Sequence, residues 1–223
     1  RQMSEILLDV KNLKKYFNTP RGLLHAVDDV NLKINAGETL GIVGESGCGK
    51  STLGRTMMRL VDATDGKVLF HGENILDYNK KEMKKMHTNM QMIFQDPFTS
   101  LNPRMSIGEI ISDPMKVVHN VKGSDMKVRV QELMDMCGLP QRYYNTYPHE
   151  LDGGRRQRVG LARALALDPK FIVCDEPVSA LDVSIQAQII NLLMDLQEQK
   201  GLAYMFITHD LCVVRHISNQ IAV

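Results

Sequence analysis

The segment at residues 41–52, GIVGESGCGKST, constrains the fold of this chain more than any other segment. Gly44, Gly49, Lys50 and Ser51 match the pattern GxxxxGK[ST] of a phosphate-binding loop. Glycines let the backbone wrap phosphate groups, and the N–H groups of the loop and of the following helix point at the anion. A flexible glycine turn is the alternative. The apolar strand before the loop and the helix after it favour a phosphate site.

Acidic residues at the end of a second apolar strand extend the expected phosphate site. The segment FIVCDE places Asp175 and Glu176 where this strand ends. Lys50 can reach the β- and γ-phosphates, the Ser51 hydroxyl can hold Mg²⁺, and Asp175 can hold the metal through water. Glu176 is then free to polarise the attacking water as a general base. A pair of solvated carboxylates is the alternative, which the phosphate loop disfavours.

Short apolar segments alternate with helical ones along the chain. Strands are predicted at EILLDV, HAVDDVNLKI, TLGIVG, KVLFHG, QMIF, KFIVCDE and AYMFITHD. Apolar spacing predicts helices at about residues 124–138 and 182–199. This alternation predicts an α/β fold with a mainly parallel sheet. Residues 97–151 contain helices but no strong strand, which indicates an inserted helical subdomain at about residues 96–168.

The composition argues against several classes of protein. With 43% hydrophobic and 24% charged residues among 223, the chain resembles an ordinary globular domain. A net charge of only +1 lacks the basic surface of a nucleic-acid binder, so we expect no nucleic-acid partner. The four cysteines form no CxxC pair, which argues against a zinc site or a disulfide framework. No apolar run approaches the ~18 residues that span a bilayer.

Further motifs point to one family, because they occur in its order along essentially the whole chain. The matching segments outside the phosphate loop and the acidic strand are KKYF, MIFQDP, ELDGGRRQR, SALD and ITHD. With them, the chain resembles the ATP-binding subunits of ABC transporters. The resemblance implies a P-loop NTPase core with a mainly parallel sheet, an N-terminal antiparallel β subdomain and an inserted α-helical subdomain. It also implies a single ATPase domain over residues 1–223, with ATP and Mg²⁺ as ligands.

The resemblance assigns roles to residues of these segments. Tyr16 would stack on the adenine, Gln95 would touch magnesium and the attacking water, and His209 would contact the γ-phosphate. The expected catalytic residues are Glu176, His209, Lys50 and Gln95, and the expected magnesium ligands are Ser51, Gln95 and Asp175. The expected ATP contacts in the loop are Gly44, Glu45, Ser46, Gly47, Cys48, Gly49, Lys50, Ser51 and Thr52.

The segment ELDGGRRQR stands where the family carries its signature LSGGQ and departs from it. The resemblance implies that Asp152, Gly153, Gly154 and Asp182 face ATP bound on a second subunit. A carboxylate at position 152 caps a helix as well as serine does, but it only accepts hydrogen bonds and repels phosphate. Arg155, in place of glutamine, could offset this repulsion by pairing with Asp152 or with the phosphate. A partly impaired composite site and a retuned active one both remain open.

Longer segments narrow the resemblance to one branch. FQDPFTSLNPRMSIGEII, YPHEL and DEPVSALDVSIQAQIINLL resemble the ATPases of oligopeptide, dipeptide and nickel importers. This implies a peripheral subunit at the cytoplasmic face of the membrane, docked on two permease subunits. A second ATPase subunit, different or identical, would complete the dimer, and an extracytoplasmic solute-binding protein would act indirectly. Because the chain begins at Arg1 and stops soon after a predicted helix, we expect a processed or truncated form without the C-terminal extension of such ATPases.

Two other functions fit parts of the pattern. A soluble ABC ATPase without a membrane partner, acting in DNA repair or on ribosomes, usually carries tandem cassettes or long inserted arms. This chain has one cassette and a near-neutral charge. A non-hydrolysing regulatory module is disfavoured by the presence of Lys50, Asp175, Glu176 and His209. An importer ATPase is therefore the function that we predict.

Overall fold

The computed structural model describes residues 5–119 and 124–223, which form two β-sheets with helices packed on them. Four strands make an antiparallel sheet near the N-terminus: β1 (Ile6–Thr19), β2 (Gly22–Asn35), β4 (Asp65–Phe70) and β5 (Glu73–Asn74). Their order is β2-β1-β4-β5. In β1, the buried side chains of Leu8, Val10 and Leu13 join the core beneath this sheet.

The second sheet is parallel and forms the centre of the fold. Its strands are β3 (Thr39–Val43), β6 (Met90–Ile93), β7 (Phe171–Asp175), β8 (Ala203–Thr208) and β9 (Gln220–Ala222), in the order β6-β7-β8-β3-β9. Every residue of β3, β7 and β8 is buried. Burial of whole strands is typical of a parallel sheet that is covered on both faces. The predicted mainly parallel sheet and the N-terminal antiparallel sheet are both confirmed.

The helices follow the strands in an alternating pattern. They are α1 (Lys50–Met57), α2 (Lys80–Asn89), α3 (Pro97–Ser100), α4 (Ile107–His119), α5 (Ser124–Met136), α6 (Gly153–Leu165), α7 (Val183–Lys200) and α8 (Leu211–Ile217). Short 3-10 helices lie at Ile75–Asp77, Gln141–Tyr143 and Pro148–Glu150. None of the helices in the described ranges is long and apolar enough to cross a membrane.

Four helices, α3 to α6, lie between β6 and β7, and the described residues of this interval contain no strand. Their apolar faces meet in one cluster, in which Ile107 and Ile111 of α4, Val130 and Leu133 of α5 and Val159 of α6 are fully buried. The cluster extends to β7 and β8, so these helices share a core with the parallel sheet. The bounds of the inserted subdomain, at about residues 96–168, stay a prediction.

The two helices predicted from apolar spacing are confirmed. The first, α5, is followed by Gly138 in the left-handed region at φ 66°, and α7 ends at Gly201, also left-handed at φ 65°. The helix α2 was not predicted, although its start carries a recognisable signal. Asn79 and Glu82 form a reciprocal capping box, in which each side chain accepts the other residue's backbone N–H.

The strand registers determine where a functional site can form. Val43 of β3 pairs with Thr208 of β8, and Asp175 of β7 pairs with Ile207 of β8. The carboxyl ends of these three strands therefore reach the same edge of the sheet. In open α/β sheets this edge is where ligands bind.

Two helical glycines allow a matched test of the packing. A Cβ at Gly108 in α4 would lie 2.6–2.8 Å from the ring of Tyr144, whereas a Cβ at Gly160 in α6 would meet nothing within 4 Å. We expect Gly108→Ala to destabilise the fold by about 1–3 kcal/mol through overpacking. Gly160→Ala should instead stabilise it by about 0.5–1 kcal/mol through helix propensity. Urea unfolding of both variants checks the sign, and equal effects would contradict the packing at Gly108.

Candidate nucleotide site

A cavity of about 640 Å³ opens at the carboxyl end of the parallel sheet. The antiparallel sheet, the phosphate loop and three polar residues beyond the strand ends all contribute to its wall. The lining residues are Phe17, Leu24, His25, Ala26, Ser46, Gly47, Cys48, Gly49, Lys50, Ser51, Thr52, Gln95, Glu176 and His209. Most of the predicted phosphate-loop contacts and all four predicted catalytic residues therefore share one cavity.

The phosphate loop is folded around the ammonium group of Lys50. Lys50 Nζ donates to the carbonyl oxygens of Gly44 at 2.8 Å and Glu45 at 2.6 Å, and the side chain is buried. Both acceptors are neutral carbonyls, so neither of them neutralises the positive charge of Lys50. The loop requires glycine at Gly49, where φ is 101° and a Cβ would lie 2.1 Å from Ala26 O. The loop thus presents a fixed cation and backbone N–H groups to an anion.

A buried oxygen pair lies beneath the phosphate loop. The Ser51 hydroxyl donates to Asp175 Oδ1 at 2.6 Å, and Arg55 Nη2 lies 3.6 Å from Asp175 Oδ2, which receives no hydrogen bond. Burial raises the pKa of Asp175, while the Ser51 hydrogen bond and the Arg55 charge lower it. A hydroxyl and a carboxylate are hard oxygen ligands, which Mg²⁺ prefers together with phosphate oxygens. These residues therefore fit the predicted magnesium site.

Glu176 is held by two polar side chains in the cavity wall. Gln95 Nε2 donates to Glu176 Oε2 at 2.9 Å, and His209 Nδ1 lies 3.6 Å from the same oxygen. The backbone of Glu176 is left-handed, at φ 46°, and its N–H donates to Ile207 O at 3.0 Å. Such a conformation is uncommon for a non-glycine residue and clusters at functional sites. The turn directs the carboxylate towards Gln95 and His209, whereas the preceding Asp175 remains buried.

The base side of the cavity is the wall that β1 and β2 contribute, and the stacking of Tyr16 on adenine stays a prediction there. Phe17 lines the cavity, and Tyr16 does not. Tyr16 stacks on His25, with ring centroids 3.9 Å apart, and its hydroxyl donates a hydrogen bond to Asp28. Phe17 and Leu24 are cross-strand partners, and both line the cavity.

The signature segment lies outside this cavity and begins α6. Asp152 caps the helix, because its Oδ1 accepts a hydrogen bond from the backbone N–H of Arg155 at 2.8 Å. Its Oδ2 accepts a hydrogen bond from the Arg155 guanidinium. The guanidinium also lies over the Tyr143 ring, 5.3 Å from the centroid. A Cβ at Gly154 would lie 2.6 Å from Ile185 Cγ2 in α7, so the packing of the two helices already requires this glycine.

The other three arginines of α6 serve the fold. Arg156 donates to Pro148 O at 2.6 Å, Arg158 to Cys137 O at 2.8 Å and Arg163 to Ser100 O at 2.5 Å. Burial lowers the pKa of Arg163, and the charge of Asp113 opposes this shift. The Ser100 carbonyl ends α3, the Cys137 carbonyl follows α5, and the Pro148 carbonyl begins a 3-10 helix. The arginine-rich pattern is therefore mainly structural and does not indicate a nucleic-acid interface.

Four residues predicted to act on a second subunit are not brought to the cavity of their own chain. Asp152, Gly153, Gly154 and Asp182 are all absent from its lining. Asp182 is exposed at the start of α7, where its carbonyl accepts the N–H groups of Ile185 and Gln186, both at 2.9 Å. Its side chain makes no capping hydrogen bond in the described structure. The cavity of one chain thus has a phosphate side and a base side but no signature side.

Similar proteins identify the family of this chain. A family model described as ABC transporter matches residues 27–179. The oligopeptide transport ATP-binding proteins OppF of Bacillus subtilis and Salmonella typhimurium are 55% and 52% identical, over 99% and 98% of this chain. The chain spans 73% and 66% of the lengths of these two relatives.

Solved structures show the same fold. A dimeric post-hydrolysis ATP-binding cassette bound to ADP and Pi has a TM-score of 0.87 and 32% identity, over 96% of this chain and 92% of that one. The cassette cbiO1 from Clostridium perfringens, part of an ABC transporter complex, has a TM-score of 0.85 and 28% identity, over 97% and 84% of the two chains. From its family match, its relatives and its fold, this chain belongs to the ABC transporter family, as one of its ATP-binding and ATP-hydrolysing cassettes.

Proposed function

We propose that this cassette is the subunit that powers an oligopeptide importer by hydrolysing ATP. The observation that carries the hydrolytic role is the carboxylate of Glu176, which Gln95 and His209 hold beside the phosphate loop. The transported class rests on relatives named oligopeptide transport ATP-binding proteins, which are 51–55% identical over nearly the whole chain. Nickel and related solutes remain within the same branch of the family resemblance.

The geometry supports a division of tasks in hydrolysis. Lys50 and the N–H groups of the loop would bind the phosphates, because they form its cationic wall. Glu176 would accept the proton of the water that attacks the γ-phosphate. Gln95 and His209 would orient this water and the γ-phosphate, since both converge on the same Glu176 oxygen. These assignments match the predicted catalytic residues.

The magnesium ligands follow from the oxygen atoms beneath the loop. Ser51 and Asp175 would hold Mg²⁺, which supplies charge neutralisation to the β- and γ-phosphates when bound. The amide nitrogen of Gln95 is engaged with Glu176, so only its carbonyl oxygen could serve as the third predicted ligand. The Ser51–Asp175 hydrogen bond supports this proposal, because it already brings two candidate oxygens within 2.6 Å.

A second cassette would complete the site. The relative with ADP and Pi is described as a dimer, which supports a dimer here. In such a dimer, Asp152, Gly153, Gly154 and Asp182 would face the nucleotide of the partner. Both oxygens of Asp152 are engaged with Arg155, so the cation nearest to that nucleotide would be the Arg155 guanidinium. The Asp152–Arg155 pair would thus present a guanidinium donor where the family signature presents a serine hydroxyl.

Membrane subunits are the remaining proposed partners. Two permeases would dock on the helical region at the cytoplasmic face of the membrane, and a solute-binding protein would act through them. In this region Val117 of α4 and Val128 of α5 are 60% and 54% exposed. Co-purification of the cassette with two membrane subunits tests this part of the proposal.

Glu176→Gln tests the general base. We expect MgATP affinity to stay within about twofold and single-turnover hydrolysis to fall about 10²- to 10⁴-fold, because the amide cannot accept the proton. An ATP-bound dimer should accumulate and appear in size-exclusion chromatography. Glu198→Gln is the matched control, because it makes the same chemical change at an exposed residue of α7. Equal hydrolysis by the parent and Glu176→Gln would refute the assigned role.

Lys50→Ala tests the phosphate wall. Loss of the ammonium should weaken MgATP binding at least about tenfold, because a charge-assisted contact to phosphate is removed. Lys11→Ala is the control, since Lys11 is half-exposed and pairs with Asp9 on the antiparallel sheet. Calorimetric titration of each variant with MgATP gives the affinity. An unchanged affinity in Lys50→Ala would contradict the assignment of the loop.

A double-mutant cycle tests the signature pair in the assembled transporter. We expect Asp152→Ser to raise turnover and ATP-dependent dimer affinity several-fold, and Arg155→Gln alone to lower both, because it leaves the Asp152 carboxylate uncompensated. The double variant should recover more than the sum of the single effects, the mark of a coupled pair. Arg142→Gln is the control, since Arg142 also contacts the Tyr143 ring. Strict additivity at positions 152 and 155 would overturn the coupling.

A further inference from the structure

The base side of the cavity is built on the weaker part of the antiparallel sheet. The register of β1 with β4 reaches Lys14, which pairs with Asp65, and beyond it β1 pairs with β2 alone. The ladder between β1 and β2 is also irregular here, with register shifts on both sides of Lys15. A two-stranded hairpin is marginally stable on its own. The segment that carries Phe17 and Leu24 therefore needs support from side chains.

Three side chains supply such support, and we call them the hairpin clamp: Tyr16, His25 and Asp28. Tyr16 and His25 are cross-strand partners whose rings stack at 3.9 Å and 17°. The Tyr16 hydroxyl donates to Asp28 Oδ1, and His25 Nδ1 lies 3.5 Å from Asp28 Oδ2. The backbone N–H of Tyr16 also donates to Thr64 Oγ1 at 2.9 Å, which ties the clamp to the segment before β4.

The clamp is adjacent to the nucleotide cavity without filling it. Tyr16 directly precedes Phe17, and His25 directly follows Leu24, so each lining residue has a clamp residue as its neighbour. His25 belongs to both sets, because it also lines the cavity. Any shift of the Tyr16–His25 stack therefore moves the Phe17–Leu24 pair. The phosphate loop lies on a different element, between β3 and α1.

The hydrogen bond from Tyr16 persists across the neutral pH range. The bond to Asp28 raises the pKa of Tyr16 to about 12, and the same bond lowers the pKa of the Asp28 carboxyl. At neutral pH the phenol is therefore protonated and the carboxyl ionised. This is the combination in which a phenol donates a charge-assisted hydrogen bond.

We infer that the hairpin clamp is a positioning device that sets the affinity of the cassette for the base of its nucleotide. Tyr16 and Asp28 act through Phe17 and Leu24 and touch neither the phosphates nor the reacting atoms. The inference rests on the proposed nucleotide site and adds a supporting layer behind its base wall. Because His25 and Asp28 are exposed, the contribution of the clamp should be modest.

The experiment compares two ligands that differ in the base. Calorimetric titration with MgATP and with magnesium tripolyphosphate is carried out on the parent, Tyr16→Phe and Asp28→Ala. We expect both variants to weaken MgATP about three- to tenfold, a shift of the size that a lost charged hydrogen bond allows, and to change tripolyphosphate by less than about twofold. In a Phe17→Ala background the effect of Tyr16→Phe should disappear, because the base wall through which it acts is gone.

A second phenol–carboxylate pair provides the matched control. Tyr78 donates to Glu73, which raises the pKa of Tyr78 to about 12, and neither residue lines the nucleotide cavity. Tyr78→Phe and Glu73→Ala should leave both affinities unchanged. An equal loss for the two ligands in Tyr16→Phe and Asp28→Ala, or an unchanged ratio of their affinities, overturns the inference. A parent that binds MgATP no better than Lys50→Ala does would instead contradict the proposed nucleotide site.

Discussion

The parallel pairing of β3, β8 and β7 is the constraint on which the rest of the site depends. Because Val43 pairs with Thr208 and Asp175 pairs with Ile207, three chain segments far apart in sequence leave the sheet at one edge. The residues that follow these strands are the phosphate loop, Glu176 and His209. Complete burial of the strands fixes this geometry, since a register slip would expose apolar residues or bury polar ones.

Burial also explains how two adjacent carboxylates acquire different tasks. Asp175 is the last residue of β7 and is fully buried, so its charge is costly unless Ser51 and Arg55 offset it. Glu176 leaves the strand with a left-handed backbone and meets Gln95 and His209 instead. Asp175 thus places its carboxylate beneath the phosphate loop, and the next residue, Glu176, places its carboxylate in the cavity. The strain at Glu176 is the structural cost of this separation.

Contiguous signals could be read from the sequence, and contacts between distant residues could not. The phosphate loop, the FIVCDE strand and the helices α5 and α7 are local patterns, and the structure has each of them. That Phe17 rather than Tyr16 lines the cavity depends on the strand register, which the irregular ladder beside Lys15 makes hard to infer. The structural roles of Arg156 and Arg163 could not be read either, because a one-dimensional pattern does not show the carbonyls of Pro148 and Ser100 that accept their hydrogen bonds.

The two walls of the cavity differ in how firmly they are supported, and this difference has functional consequences. The phosphate loop follows a strand of the parallel sheet, whose central strands are buried on both faces. The geometry of the loop therefore changes only if the core changes. The base wall lies on an exposed hairpin, where Leu23 and Leu24 are more than half exposed. Substitutions on that hairpin can alter nucleotide affinity while the oxygens around Ser51 and Glu176 keep their places. We therefore expect affinity for the base to be separable from chemistry at the phosphates, because the base side and the residues around Ser51 and Glu176 lie mainly on different sheets.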